Sequence, residues 1–146
     1  MQLTRAADYA IRVMVYLAGL PSGTRTPRSD LAAAADCPEQ FLSKVLQYLT
    51  RAGLVTSHRG NTGGFELPES HRHASVFEIV EAVEGPIHLN VCVGTNGACS
   101  RQAWCPVHPV WQDAQEKMLD VLRAARISEL AKTSPPRLHS DLTEPS

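Results

Sequence analysis

Three cysteines and a histidine in the second half of the chain are the residues best able to do chemistry. Cys92, Cys99 and Cys105 are separated by six and five residues, and His108 follows Cys105 by three. Structural zinc sites usually pair their cysteines with about two to four residues between them, and that tight pairing is absent here. Wider loops suit a cluster whose ligands sit on different iron atoms, and thiolate is the soft ligand that iron–sulfur clusters use. Three thiolates leave one position for another group. His108 could fold back from the first turn of the helix that follows, and Asp8 could reach in from the first helix of the same chain or of a partner. Each has a plainer reading: His108 as a capping or surface imidazole, and Asp8 as an ion pair with Arg5 or Arg12, three and four residues away. Free buried thiols do not suit a stretch this polar and glycine-rich. Cys37 lies far off in sequence and packs as a small apolar residue.

A second set of side chains is suited to nucleic acid. Gln40, Ser43, Lys44, Gln47 and Arg51 share one face of a helix that starts at Pro38, opposite an apolar face of Phe41, Leu42, Val45, Leu46 and Leu49. Gln can pair bidentately with adenine and Lys can reach guanine acceptors, whereas Arg51 at the helix end is better placed for phosphate. Any solvated helix shows such residues, so the face alone carries little. The segment His58-Arg59-Gly60, followed by Gly63-Gly64, adds a cation on a turn that can approach a phosphate backbone closely and reach the narrow minor groove. A plain turn explains those glycines but not the flanking Arg59.

The elements that must position these residues follow from spacing and breakers. Leu3, Ala7, Ala10, Ile11, Met14 and Leu17 have the three-and-four spacing of an amphipathic helix ended by Gly19 and Pro21. Thr26-Pro27 reads as an oxygen cap with proline in the first turn of a short helix over 31–35, and Asp36-Cys37-Pro38 turns the chain into the polar-faced helix, which Gly53 caps. Residues 54–58 and 65–67 around the glycine-rich turn predict a hairpin. Ser75-x-x-Glu78 is a capping box for a helix closed by Gly85-Pro86. Residues 87–105 show no period and read as a loop. Beyond Pro106 and Pro109, Val107, Trp111, Ala114, Met118, Val121 and Ala125 repeat every three or four residues, a seam that wants a partner helix or its own domain. From Thr133 on there is no pattern, and a disordered tail is expected. The order helix, short helix, turn, helix, glycine-tipped hairpin is that of a winged helix-turn-helix. The expected fold is therefore mainly α with a small β-hairpin wing: a DNA-binding domain over 1–85, a cysteine-rich loop over 86–108, a dimerisation helix over 109–131 and a tail over 132–146.

Composition narrows the classes. The 146 residues are 43% hydrophobic and 20% charged, ordinary for one globular domain, and the net charge of −1 excludes a strongly basic nucleic-acid binder. That average hides an asymmetry, with eight Lys/Arg against six acids in residues 1–74 and six against nine in residues 75–146. No apolar run reaches the length of a membrane span, and the start lacks the layout of a signal peptide, so a cytoplasmic protein with no membrane partner is expected. No nucleophile sits beside a base, and no phosphate-cradling loop precedes a helix, which argues against an enzyme.

The opening Leu3-Thr4 with Asp8-Tyr9-Ala10-Ile11-Arg12, the run Phe41-Leu42-Ser43-Lys44-Val45-Leu46 leading to Ala52-Gly53-Leu54-Val55, the Arg59-Gly60-x-x-Gly63-Gly64-Phe65 turn, and Cys92, Cys99, Cys105 and His108 resemble the Rrf-type transcriptional regulators, the group that includes IscR, NsrR and RirA. The resemblance covers about residues 1–130. It implies a homodimeric winged-helix regulator, a repressor, that binds partly palindromic double-stranded operators. It also implies an iron–sulfur cluster, 2Fe-2S or 4Fe-4S, that senses nitric oxide, iron status or redox state. Cys92, Cys99 and Cys105 match the three cluster cysteines; His108 matches the fourth ligand of IscR-like members and Asp8 that of some NsrR-like members. The first cysteine gap is one residue longer than in the IscR-like pattern, and Ser43-Lys44 stands where IscR has Glu-Gln, so operator sequence does not carry over. An electron-transfer or cluster-carrier protein would also use the cysteines but would leave the polar helix face and Arg59 idle. Sequence-selective retention of DNA separates the two. A regulator that used its cysteines only as thiol switches would carry no iron after anaerobic purification.

Overall fold

The computed structural model describes residues 3–94 and 100–133. Cys99 and the expected tail beyond residue 133 lie outside the described residues. The element order is α1 (Arg5–Ala18), α2 (Arg28–Ala35), α3 (Glu39–Arg51), β1 (Thr56–His58), β2 (Gly64–Glu66), α4 (Val76–Glu84), α5 (His108–Ala124) and α6 (Ile127–Thr133), with short 3-10 turns at Glu69–His71 and Val91–Val93. This is the helical winged architecture expected from the residue pattern. The turn at Val91–Val93 gives part of the expected loop a structure that its lack of period does not announce.

Helix α1 is the centre of the molecule. Thr4 opens it, its hydroxyl accepting from the Ala7 N–H at 3.3 Å. Ala7, Ala10, Val13 and Met14 are fully buried, and Leu17 nearly so, because α1 is packed by α2, α3, α4 and α6 on several sides. Leu3, expected on the apolar stripe, precedes the helix and is 41% exposed. Two arginines finish neighbouring helices: Arg12 donates to the Ala35 carbonyl at the end of α2 (3.0 Å), and Arg72 to the Ala18 carbonyl at the end of α1 (3.1 Å). Each satisfies a carbonyl that has no partner within its own helix.

Thr26 differs from expectation. It is not an oxygen cap: α2 starts after Pro27 without a side-chain cap. Thr26 instead joins the wing as a single-residue bridge, its N–H donating to Phe65 O (2.9 Å) and its C=O accepting from Phe65 N (2.8 Å). Its hydroxyl is buried without a partner. The turn into α3 uses Asp36 in the left-handed region (φ 52°), and the Cys37 N–H reaches back to Ala32 O at 3.0 Å. Helix α3 buries Leu42, Val45, Leu46 and Leu49 as its pattern requires, but Phe41 is 39% exposed and meets Tyr9 edge to face at 5.6 Å. The apolar arc is thus narrower by one residue than the sequence suggests.

Ser75 caps α4, accepting from the Glu78 N–H at 3.1 Å, as its capping box predicts. The C-terminal helix is not continuous. It stops at Ala124, Ala125 is extended, and the backbone of 125–127 pairs antiparallel with 74–76: Val76 N donates to Ala125 O (2.9 Å) and Ile127 N to Ala74 O (3.0 Å). Ala-Ala-Arg-Ile contains no helix breaker, so only the tertiary pairing ends the helix. The final piece, α6, then turns onto α1 and buries Ile127 completely. Most of α5 is exposed, including Val110, Trp111 and Val121, as is Val107 just before it; Leu122 and, just past the helix, Ala125 pack into a small cluster with Ala7, Val76 and Val80.

Replacing Ile127 by Ala removes the buried anchor of α6, and a loss of about 2–5 kcal/mol in unfolding free energy is expected. Urea unfolding measures it. A loss below roughly 0.5 kcal/mol, the range of ordinary surface substitutions, would mean that α6 does not hold the core.

Candidate nucleic-acid interface and cysteine turn

The polar face of α3 and the wing are joined by local chemistry at the helix end. Gly53, at φ 74°, lets the chain reverse: its N–H bonds Thr50 O (3.0 Å) and the Leu54 N–H bonds Leu49 O (3.0 Å), the paired bonds of a Schellman motif. Leu54 and Val55 are buried and lead into β1, which pairs with β2 in the register Thr56↔Glu66, Ser57↔Phe65, His58↔Gly64. The result is a cleft of about 350 Å³ between helix and wing, lined by Arg28, Ser43, Gln47, Thr50, Arg51 and Ser57 over a floor of Leu46 and Phe65.

Three of the expected reading residues, Ser43, Gln47 and Arg51, therefore share one concave surface. Gln40 is exposed one turn earlier. Lys44 lines a different cleft, about 450 Å³, with Thr4, Arg5, Phe41, Tyr48 and Glu84 among its walls. At the wing, Arg59 and Gly60 are exposed at the tip, with Gly60 at φ 97°. His58 is held back, its Nε2 lying 3.0 Å from Glu66 Oε1, and Arg25 approaches the same carboxylate at 3.9 Å. Arg28 and Ser57 are cleft residues that the sequence reading missed, since neither lies on the polar face of α3.

The cysteine region is organised by α5. Cys92 sits in the 3-10 turn and is half-buried, as is Cys105, whose carbonyl accepts from the His108 N–H at 3.2 Å. His108 is the first residue of α5 and its only buried one, 6% exposed, and its Nδ1 has no hydrogen-bond partner. A buried imidazole nitrogen without a partner is costly unless something binds it. Cys92, Cys105 and His108 are of the soft and borderline donor types that iron–sulfur groups take. Gln115, missed by the sequence reading, straps the turn to α5: its Oε1 accepts from Leu89 N (3.0 Å) and its Nε2 donates to Val93 O (3.2 Å). A cavity of about 360 Å³ beside Cys92 is walled by Gln102, Gln112, Gln115 and Arg123 among others. Asp8 is paired instead with Arg12, Oδ2 to Nη2 at 2.7 Å, and is half exposed. Among the described residues no group of three His, Cys, Asp or Glu side chains is gathered as a metal site. Cys37 is buried, and that burial raises its thiol pKa, in keeping with a packing role.

A helix pair whose second helix stands beside a hairpin wing defines a winged helix-turn-helix protein. The chain belongs to the Rrf2 family, described as iron-dependent transcriptional regulators, whose model matches residues 3–133. It is 33% identical over 131 residues to a Mycobacterium tuberculosis (strain H37Rv) protein named as an HTH-type transcriptional regulator, covering 90% of this chain and 81% of that one. It is 30% identical to the HTH-type transcriptional regulator NsrR of Geobacillus kaustophilus, covering 89% of each. Among solved structures, CymR, the global cysteine regulator of B. subtilis, matches with a TM-score of 0.73 at 24% identity, covering 92% of this chain and 98% of that one. IscR of T. potens matches with a TM-score of 0.71 at 20% identity, covering 94% and 92%. The protein is a transcriptional regulator of this family and not an enzyme. No helix among the described residues is long and apolar enough to cross a membrane.

Gly64 is the residue on which the wing's seat depends. It sits at φ 140°, and a Cβ there would meet Thr26 O at 2.7 Å. Gly64→Ala should therefore cost about 1–3 kcal/mol in stability and weaken DNA retention by displacing the wing. Thermal unfolding with gel-shift titration measures both, and a variant unchanged in each would show that the bridge to Thr26 does not set the wing.

Proposed function

We propose that the protein is a homodimeric repressor that binds a partly palindromic double-stranded operator and that an iron–sulfur cluster controls this binding. Cys92, Cys99 and Cys105 would hold the group, with His108 as the fourth ligand. The observation that carries this reading is the buried, unpartnered Nδ1 of His108, three residues past Cys105. Asp8, the other candidate, is already engaged, because its ion pair orients Arg12, which donates to the end of α2. When bound, the cluster supplies redox-active, nitric-oxide-reactive iron, of either the 2Fe-2S or the 4Fe-4S type.

The rest is the work of this chain's own residues. Gln47 would read a base edge in the major groove, Arg51 would bind phosphate, and Arg59 would enter the minor groove from the wing tip. Gln40, Lys44 and the backbone at Gly60 would add backbone contacts around them. The exposed apolar residues Val107, before α5, and Val110, Trp111 and Val121 within it would pack against a second copy, since the described residues of the chain leave them uncovered. Cytoplasmic residence follows from this function.

Anaerobic purification with iron and sulfide analysis tests the ligand set. Cys92→Ala, Cys99→Ala, Cys105→Ala and His108→Ala should each lose the cluster, while Asp8→Ala and Cys37→Ala retain it. Wild-type iron in two of the three loop-cysteine variants would refute the set, and loss with Asp8→Ala but not His108→Ala would move the fourth ligand to Asp8.

On the DNA side, Arg59→Ala should weaken binding and make its salt dependence shallower by about one counterion's worth. Gln47→Ala should cost about 1–3 kcal/mol at one operator position and leave non-specific affinity nearly unchanged. Titrations of both variants on the operator and its single substitutions over a range of salt check this pair. Wild-type behaviour in both would remove the cleft and the wing from the interface.

A further inference from the structure

The face of α3 carries a cation that α3 does not supply. Arg28, the first residue of α2, lays its guanidinium across the neighbouring helix: Nη1 donates to Ser43 Oγ at 3.0 Å, and Nε lies 3.4 Å from Glu39 Oε1. Ser43 Oγ in turn donates to the Glu39 carbonyl at 3.3 Å. The Arg28 side chain remains 51% exposed and lines the cleft with Gln47, Arg51 and Ser57. We propose that Arg28 is a specificity-determining residue of the nucleic-acid interface, a guanine-reading arginine delivered by α2 and held on the recognition helix by Glu39 and Ser43. The proposal rests on the DNA-binding reading given above.

Three arguments favour a base edge over a phosphate. A guanidinium has five N–H donors, and the two contacts to α3 leave three, enough for the bidentate contact to guanine O6 and N7. Glu39 travels with Arg28; set against a phosphate, that carboxylate would repel it, whereas the neutral acceptors of guanine carry no such penalty. Finally, a long side chain that is already held loses less rotamer freedom on binding, which favours a contact demanding two aligned bonds. Ser43 changes role accordingly. With its hydroxyl proton on the Glu39 carbonyl and a lone pair on Arg28, it serves as a positioning residue for the arginine and not as a reader in its own right.

Full-length protein selecting from a library of randomised duplexes, with sequencing of the retained pool, supplies the operator for the test. Failure of the wild type to enrich any sequence would overturn the DNA-binding reading itself. Given an enriched site, Arg28→Ala and Arg28→Lys should both lose the guanine preference at one position of each half-site. Affinity for the enriched site should fall about tenfold or more, with the salt slope nearly unchanged and the site substituted at that guanine bound as the wild type binds it. Arg28→Lys keeps the charge without the fork, so its loss of preference separates shape from charge. The proposal is overturned if Arg28→Ala weakens every duplex alike with a slope shallower by about one counterion, the mark of a phosphate contact, or if it enriches the same sequence with wild-type affinity.

Discussion

The seat of the wing is a pair of backbone hydrogen bonds between Thr26 and Phe65, 2.9 and 2.8 Å long. A hairpin of two three-residue strands has little stability of its own in water. Thr26 extends the sheet by one residue, and because only Pro27 separates it from α2, the hairpin is tied to the start of the helix pair. Phe65 then forms part of the floor of the cleft beside Leu46, so the spacing between recognition helix and wing is set by packing at the base and by hydrogen bonds at the edge. The bridge brings the backbones close enough that only glycine fits at position 64, where a side chain would run into Thr26 O. The wing glycines thus serve two purposes: those at the tip shape the turn, and Gly64 makes room for the bridge.

A second bridge of the same kind organises the other end of the molecule. Ser75 pairs with Arg126, ending α5 and redirecting α6 onto α1. Arg126 reinforces the junction through its side chain, donating to His73 O at 3.1 Å, and lies 3.8 Å from the Glu78 carboxylate. The consequence is a helix fixed near its end and bare along most of its length. Had the helix run on past residue 125, α6 could not have covered α1, and Ile127 would have been left without its pocket. The break therefore places the two halves of one amphipathic pattern in different environments, a buried one on α1 and an exposed one on α5.

How much of this was legible in the sequence depended on whether the cause was local. The Ser75 cap, the Pro38 start of α3 and the Gly53 reversal were readable because each acts on backbone groups within a few residues. The bridge at Thr26 and the break at Ala125 were not, because both arise from backbone pairing with segments about forty and fifty residues away. Thr26 was misleading for a physical reason: Ser, Thr, Asp and Asn before a proline serve as caps often enough that a threonine recruited for its backbone looks the same. The candidate site divides along the same line. Gln47 and Arg51 were found because periodicity puts them on one helix face, whereas Arg28 belongs to another helix and only the packing of α2 against α3 brings it there. Burial of His108 was likewise outside the reach of periodicity, since its neighbours on α5 are exposed.

The cysteine turn and the helix pair are connected through ordered contacts, and their sequence is informative. Gln115 ties the Cys92 turn to the middle of α5; further along that helix, Arg123 lies over the Phe77 ring of α4 at 4.5 Å. At the far end of α4, Glu84 accepts from the Thr4 N–H at 2.6 Å, the residue that opens α1. α1 in turn packs on both members of the helix pair. Most of these links are polar or sit at helix ends. The core of α1 is close-packed and does not deform in small steps. The contacts between the cysteine turn and the helix pair therefore run around that core, through α5, α4 and Thr4, before they meet it at α1.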